Sequence, residues 1–163
     1  MRIIGIDPGI AIVGYAVLDI FPDGEVEIIT TGSIQTDKNS EKPNRLLEIS
    51  EDLTTLIKEF KPQTASIEKL FYCKNLKTVM PVSEARGVIL MTLAKFGVEI
   101  FEYTPLEVKM TITGHGRASK DEVKEMTCNF LQMECLPKLD DTVDAIAIGL
   151  THTRIGMLQT CTV

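Results

Sequence analysis

Met1-Arg2-Ile3-Ile4-Gly5-Ile6-Asp7-Pro8-Gly9 is the stretch whose reading decides the fold. Arg2–Asp7 is a short apolar run that halts at an acid and then at Pro8-Gly9, which predicts a strand running into a turn. Ile12–Leu18 follows, rich in β-branched and aromatic residues, and Pro22-Asp23-Gly24 supplies a hairpin-like turn. Glu25–Ile34 alternates loosely and reads as a third strand, so the chain begins as an antiparallel meander.

Beyond residue 40 the period changes. Leu46, Leu47, Ile49, Leu53, Leu56, Ile57 and Phe60 recur at helical spacing until Lys61-Pro62 stops them. Thr64–Glu68 is a short strand with an acid at its far end. Lys77–Phe96 is helical in pattern, and Pro81 predicts a break or a late start. Val98–Tyr103 reads as a strand and Pro105–Thr111 as a short helix. Ser119-Lys120-Asp121-Glu122 is a capping box opening a helix to about Leu131. Asp140 or Asp141 opens the last helix, with Val143, Ile146, Ala147 and Leu150 on its buried face. The order β-β-β-α-β-α-β-α-α-α predicts an α/β fold, a mixed five-stranded sheet flanked by helices. The 163 residues suit one domain, expected over 1–157 with a short polar tail at 158–163.

Composition narrows the function. The chain is 44% hydrophobic, 25% charged and 6% aromatic, which excludes a disordered tail, a collagen-like repeat and a coiled coil. Uncharged apolar stretches such as Val88–Ala94 fall far short of the ~20 residues a bilayer crossing needs. The first residues meet an acid too early for a secretory leader, so a cytoplasmic location is expected. Cys73, Cys128, Cys135 and Cys161 form no C-x-x-C pair and read as reduced thiols rather than a zinc site. His115 and His152 are expected at the surface or beside phosphate. Net charge is −6, yet residues 69–124 hold nine Lys/Arg against six acids, and the remainder holds eight against seventeen. That split suits a nucleic-acid face beside an acidic, metal-binding centre.

Four acids stand out from this background. Asp7 and Glu68 end strands that right-handed crossover topology can place side by side. Asp141 and Asp144 lie three residues apart on one helix face, although Asp140 and Asp144 share a face too. Converging carboxylates repel, and divalent cations with oxygen ligands relieve the repulsion. Two such cations clamp both the attacking and leaving oxygens of a phosphodiester. Each acid also has an ordinary reading: Asp7 as a turn initiator, Glu68 as a solvated strand end, Asp140 to Asp144 as partners of a helix dipole.

The same residues belong to an ordered set. After the opening stretch come Gly14-Tyr15-Ala16, then Ser66-Ile67-Glu68 with Phe71, Lys74-Asn75, and Glu84-Ala85-Arg86-Gly87-Val88. Tyr103-Thr104-Pro105, Val108-Lys109 and Thr113-Gly114-His115-Gly116-Arg117-Ala118-Ser119-Lys120 follow, then Asp144-Ala145-Ile146-Ala147-Ile148 and Thr151-His152. Across roughly residues 1–155 the sequence resembles the RuvC family of Holliday junction resolvases.

The resemblance implies an RNase H-like fold and a homodimer that cuts four-way junction DNA by paired nicks, leaving 5′-phosphates. It implies Asp7, Glu68, Asp141 and Asp144 as catalytic, metal-holding acids, and its three-residue spacing favours Asp141 over Asp140. Two Mg²⁺ per site are implied, with Mn²⁺ as a substitute, and cooperation with the RuvA–RuvB branch-migration complex. Phe71, Tyr72, Lys74, Lys77, Arg86, Lys109, Arg117 and Lys120 are the expected DNA contacts. Among them Phe71 reads as a base-stacking ring or as a core residue, and the lysines as phosphate contacts or solvated surface.

Overall fold

The computed structural model describes residues 1–70, 76–132 and 140–160. Five strands form one sheet in the order β3-β2-β1-β4-β5. Strand β1 (Arg2–Asp7) lies at its centre. It pairs antiparallel with β2 (Ile12–Ile20) and parallel with β4 (Thr64–Glu68). On the outer sides, β3 (Val26–Gln35) runs antiparallel to β2, and β5 (Glu99–Tyr103) runs parallel to β4. The expected order of elements and the mixed sheet are both present.

The central position of β1 explains why its sequence is an apolar run rather than an alternation. A strand covered on both faces has no solvent side to mark with polar residues. Ile4 and Ile6 join Ala65 and Ile67 of β4 in a core completed by two helices on one face. These are α1 (Lys42–Phe60), which turns Ile49, Leu53 and Ile57 inward, and α2 (Leu76–Lys95), which turns Ala85, Ile89 and Leu93 inward. Helix α2 runs through Pro81 instead of breaking there. Pro81 stands only a turn or so from the helix start, where it removes a single backbone hydrogen bond.

The other face carries α3 (Pro105–Thr113), α4 (Lys120–Phe130) and α5 (Asp140–Thr160). Capping boxes start the first two, Thr104 with Glu107 and the expected Ser119 with Glu122. Helix α5 lies between the sheet and these two helices, so burial extends all the way from Ala145 to His152, well beyond the one face expected. It also runs to Thr160, into the stretch read from sequence as a tail. Among the described residues no helix is long and apolar enough to cross a membrane.

Helix α5 sits unusually near the sheet. A Cβ placed on Gly5 would meet the Ala145 carbonyl oxygen at 2.2 Å and the Gly149 nitrogen at 2.8 Å. Backbone therefore rests on backbone, with no side chain between. This contact generates a stability prediction. Gly5→Ala lowers unfolding free energy by about 2–3 kcal/mol, the upper part of the overpacking range. Gly87→Ala, in α2 with nothing within 4 Å of the new methyl, instead raises it by up to about 1 kcal/mol. Urea denaturation of the two variants reads both signs, and an unaffected Gly5→Ala protein would contradict the docking of α5.

Candidate active site

Alternation along β1 and β4 decides which side chains meet. Ile4 and Ile6 point to the α1–α2 face, so Gly5 and Asp7 point to α5. On β4, Ala65 and Ile67 take the first direction, while Ser66 and Glu68 take the second. Ser66 confirms it, donating its hydroxyl to the Ile148 carbonyl of α5 at 2.6 Å. Gly5 pairs with Ser66 and Ile6 with Ile67 in parallel register, and one further step sets Asp7 beside Glu68.

The first turns of α5 bring two more acids to this edge. Gly14, the register partner of Asp7 on β2, lies under Asp141, and a Cβ there would come within 2.0 Å of the Asp141 carbonyl oxygen. Asp144 follows one turn later. The charges reveal the convergence: the Asp7 carboxyl is pushed up to about 8, first by burial and then by Glu68, Asp144 and Asp141, with Lys120 opposing. Burial and then Asp144 also raise Glu68, again against Lys120. Asp140 is exposed; its charge acts on Lys120, and Asp141 rather than Asp140 is among the charges acting on Asp7.

Basic groups line the approach. Lys120 Nζ stands 3.1 Å from Asp144 Oδ2 with most of its side chain in solvent, and that hydrogen bond raises its own pKa. Glu68, Asp144, Lys109, Lys120, Pro105, Val108, Val123 and Ile148 enclose one cleft. Lys109 Nζ donates to the Ala118 carbonyl at 2.6 Å, tying α3 to the loop that leads into α4. Gly114 turns that loop with φ of 83°, and Arg117 is exposed on it. Phe71, Tyr72 and Lys74 lie outside the described residues, and so does the side chain of Lys77.

Arg86, expected among the DNA contacts, lies beneath the face of the sheet that does not carry the acids, where it pairs with Glu102 and donates to the Glu68 carbonyl. One expectation is corrected here. His152, expected at the surface, is buried: its Nδ1 meets the Tyr103 hydroxyl at 2.7 Å and its ring lies 4.3 Å from that of Phe101. Burial lowers the His152 pKa and lifts the Tyr103 phenol to about 12. The signal was present in the spacing, since His152 follows the buried Ile148 by one helical turn. Glu102 and Tyr103 carried no such signal, because their partners come from distant helices.

Among the described residues no three His, Cys, Asp or Glu side chains already close into a metal cage. The donor set nonetheless fits a hard divalent cation. It is all oxygen, and burial, followed by the repulsion of the neighbouring carboxylates, raises the Asp7 pKa to about 8, a shift that added positive charge opposes.

A family model described as crossover junction endodeoxyribonuclease RuvC matches residues 3–152. A protein of that name from Brevibacillus brevis is 44% identical over 154 residues, covering 94% of this chain and 92% of its own. Another from Caldicellulosiruptor saccharolyticus is 41% identical over 152 residues, covering 93% and 92%. The structure of Thermus thermophilus RuvC in complex with a Holliday junction substrate superposes with a TM-score of 0.91 at 28% identity, over 98% of this chain and 97% of that one.

Charge crowding sets a pH dependence. A carboxyl raised from 3.8 to about 8 on folding binds its proton more tightly in the folded state. Its stabilising contribution is therefore full below about pH 4 and is lost as pH rises through about 8. In chelator at pH 9, Asp7→Asn unfolds at higher denaturant than the parent protein, by about 1–3 kcal/mol, and the gap narrows toward pH 5. Urea titrations at the two pH values measure it, and an added divalent cation stabilises the parent protein more than the variant.

Proposed function

The chain belongs to the RuvC family of crossover junction endodeoxyribonucleases, and on that footing we propose that it resolves four-way DNA junctions by paired, metal-dependent nicks. One observation carries the reading: acids from three separate elements, Asp7, Glu68 and the Asp141–Asp144 pair, crowd together at the C-terminal ends of two interior strands.

Asp7, Glu68, Asp141 and Asp144 are the proposed ligands of two Mg²⁺, with Mn²⁺ as a substitute. Such cations supply positive charge to the phosphodiester oxygens and acidify the attacking water. The water oxygen bonds to phosphorus as the bond to the 3′ oxygen breaks, leaving a 3′-hydroxyl and a 5′-phosphate. Lys120 extends into solvent beside Asp144, and in this reading it holds a phosphate oxygen while charge develops on it. Lys109 shapes the wall of the same cleft, and Arg117 lies on the neighbouring loop for backbone phosphates. Phe71, Tyr72, Lys74 and Lys77 follow Glu68 within nine residues of sequence, and in this reading the Phe71 ring stacks on a base near the crossover.

A four-way junction has twofold symmetry, and a homodimer matches it with one active site per opposed strand. The protein would act in the cytoplasm with RuvA and RuvB, in recombination and DNA repair.

A labelled four-way junction tests the reading. With Mg²⁺ the protein nicks two opposed strands, whereas plain duplex and RNA–DNA hybrid of the same sequence stay intact. Asp7→Asn lowers the nicking rate by more than about 100-fold, exceeding the 10–100-fold that loss of an outer support costs, and still binds the junction in chelator. Asp141→Asn behaves like Asp7→Asn, and Asp140→Asn like the parent. Full activity in Asp7→Asn, or equal cleavage of the hybrid, would reject the assignment.

A further inference from the structure

Arg86 stands midway along α2, beneath the face of the sheet that does not carry the acids. Ile67 and Glu102 are register partners, and Ile67 is packed in the core under α1 and α2. Glu102 therefore turns its carboxylate toward α2 and away from the acidic cleft. The Arg86 guanidinium makes two contacts there. Its Nη2 pairs with Glu102, and its Nε donates to the main-chain carbonyl of Glu68 at 3.2 Å. The side chain is only 17% exposed.

The place of that carbonyl matters. Glu68 is the last residue of β4, and the Lys69 amide donating to the Tyr103 carbonyl at 2.8 Å is the last described rung of the ladder to β5. A strand end is the part of a sheet least constrained by its neighbours. Here the peptide that orients the Glu68 carboxylate is held from below by a charged, planar donor anchored to the adjacent strand.

We infer that Arg86 is a positioning residue for Glu68, with Glu102 as its anchor: the fork sets the Glu68 peptide and thereby aims its carboxylate into the cleft. The inference deepens the proposed nuclease reading and rests on it, since what Glu68 is aimed at is a divalent cation. A guanidinium makes both contacts from one rigid plane, which an ammonium on a flexible stem cannot reproduce.

The test compares Arg86→Lys and Glu102→Gln with the parent protein. Three quantities are measured: Mn²⁺ affinity of the DNA-free protein by calorimetry, junction affinity in chelator, and single-turnover nicking across a range of Mn²⁺ concentrations. Both variants are expected to bind the junction as the parent does and to bind Mn²⁺ about tenfold more weakly, the usual cost of a lost outer support. Nicking slows by about the same factor at limiting Mn²⁺ and recovers as Mn²⁺ saturates. Unchanged Mn²⁺ affinity in both variants overturns the inference. So does junction affinity lost in Arg86→Lys and kept in Glu102→Gln, which marks a DNA contact. Should Arg86→Lys fail to fold, Glu102→Gln decides alone, because it leaves Arg86 in place. A parent protein that never nicks junctions removes the nuclease reading, while weakened Mn²⁺ binding in both variants would still establish the positioning.

Discussion

Everything at the acidic edge depends on helix α5 lying with its backbone against β1 and β2. Side chains normally hold a helix away from the sheet beneath it. Here Gly5 and Gly14 leave the spaces that the carbonyl oxygens of Ala145 and Asp141 approach. Gly149 closes on Leu18 and Gly5 from the helix side. The docking is held elsewhere too, by Ser66 donating to Ile148 and by the buried Tyr103–His152 pair. With the helix lifted by the thickness of a methyl group, Asp141 and Asp144 would move off the ends of the strands that carry Asp7 and Glu68. Small residues far from any chemistry thus set the spacing of the acids.

That spacing is electrostatically costly. Asp7 and Glu68 are both partly removed from water and both face Asp144, and among the described residues Lys120 supplies the charge that opposes the crowding at each. A single ammonium, largely solvated at 72% exposure, screens such a group weakly. The fold tolerates the conflict because two separate cores, one on each face of the sheet, hold the strands and α5 regardless of the edge. A local clash of like charges kept in place by surrounding packing is the usual sign of a site shaped for a ligand rather than for stability.

The sequence showed the fold where local rules act alone. The apolar run of β1, the Pro22-Asp23-Gly24 turn, the stripe of α1 and the Ser119 capping box each depend on neighbours in the chain, and each is present. It was less informative where tertiary surroundings override a local rule. Pro81 reads as a helix breaker, yet α2 continues through it. His152 reads as polar, yet a hydroxyl on β5 lets it lie in the core. The acids were individually ambiguous because nothing local separates a turn-forming Asp from a ligand. Only the pairing of β1 with β4 and the docking of α5 show which of them meet. Asp140 and Asp141 differ by one residue, and that step moves the side chain from the charges around Asp7 to open solvent.

The basic residues argue the same point in reverse. Residues 69–124 carry a local positive excess, which as a count suggests a surface for a polyanion. The structure divides these cations by what they face. Lys109 donates to a carbonyl and Arg86 joins a carboxylate to a strand end beneath the sheet, so neither is simply free charge. Lys120 reaches from α4 to an acid at the cleft, and Arg117 stands in solvent on the loop beside it. Charge on the acidic edge can act on a phosphate, whereas charge on the far face can act there only by moving the backbone between them. What a basic residue faces is therefore decided by the sheet, whose two faces separate the cations beside the acidic cleft from the cation beneath the strand that carries Glu68.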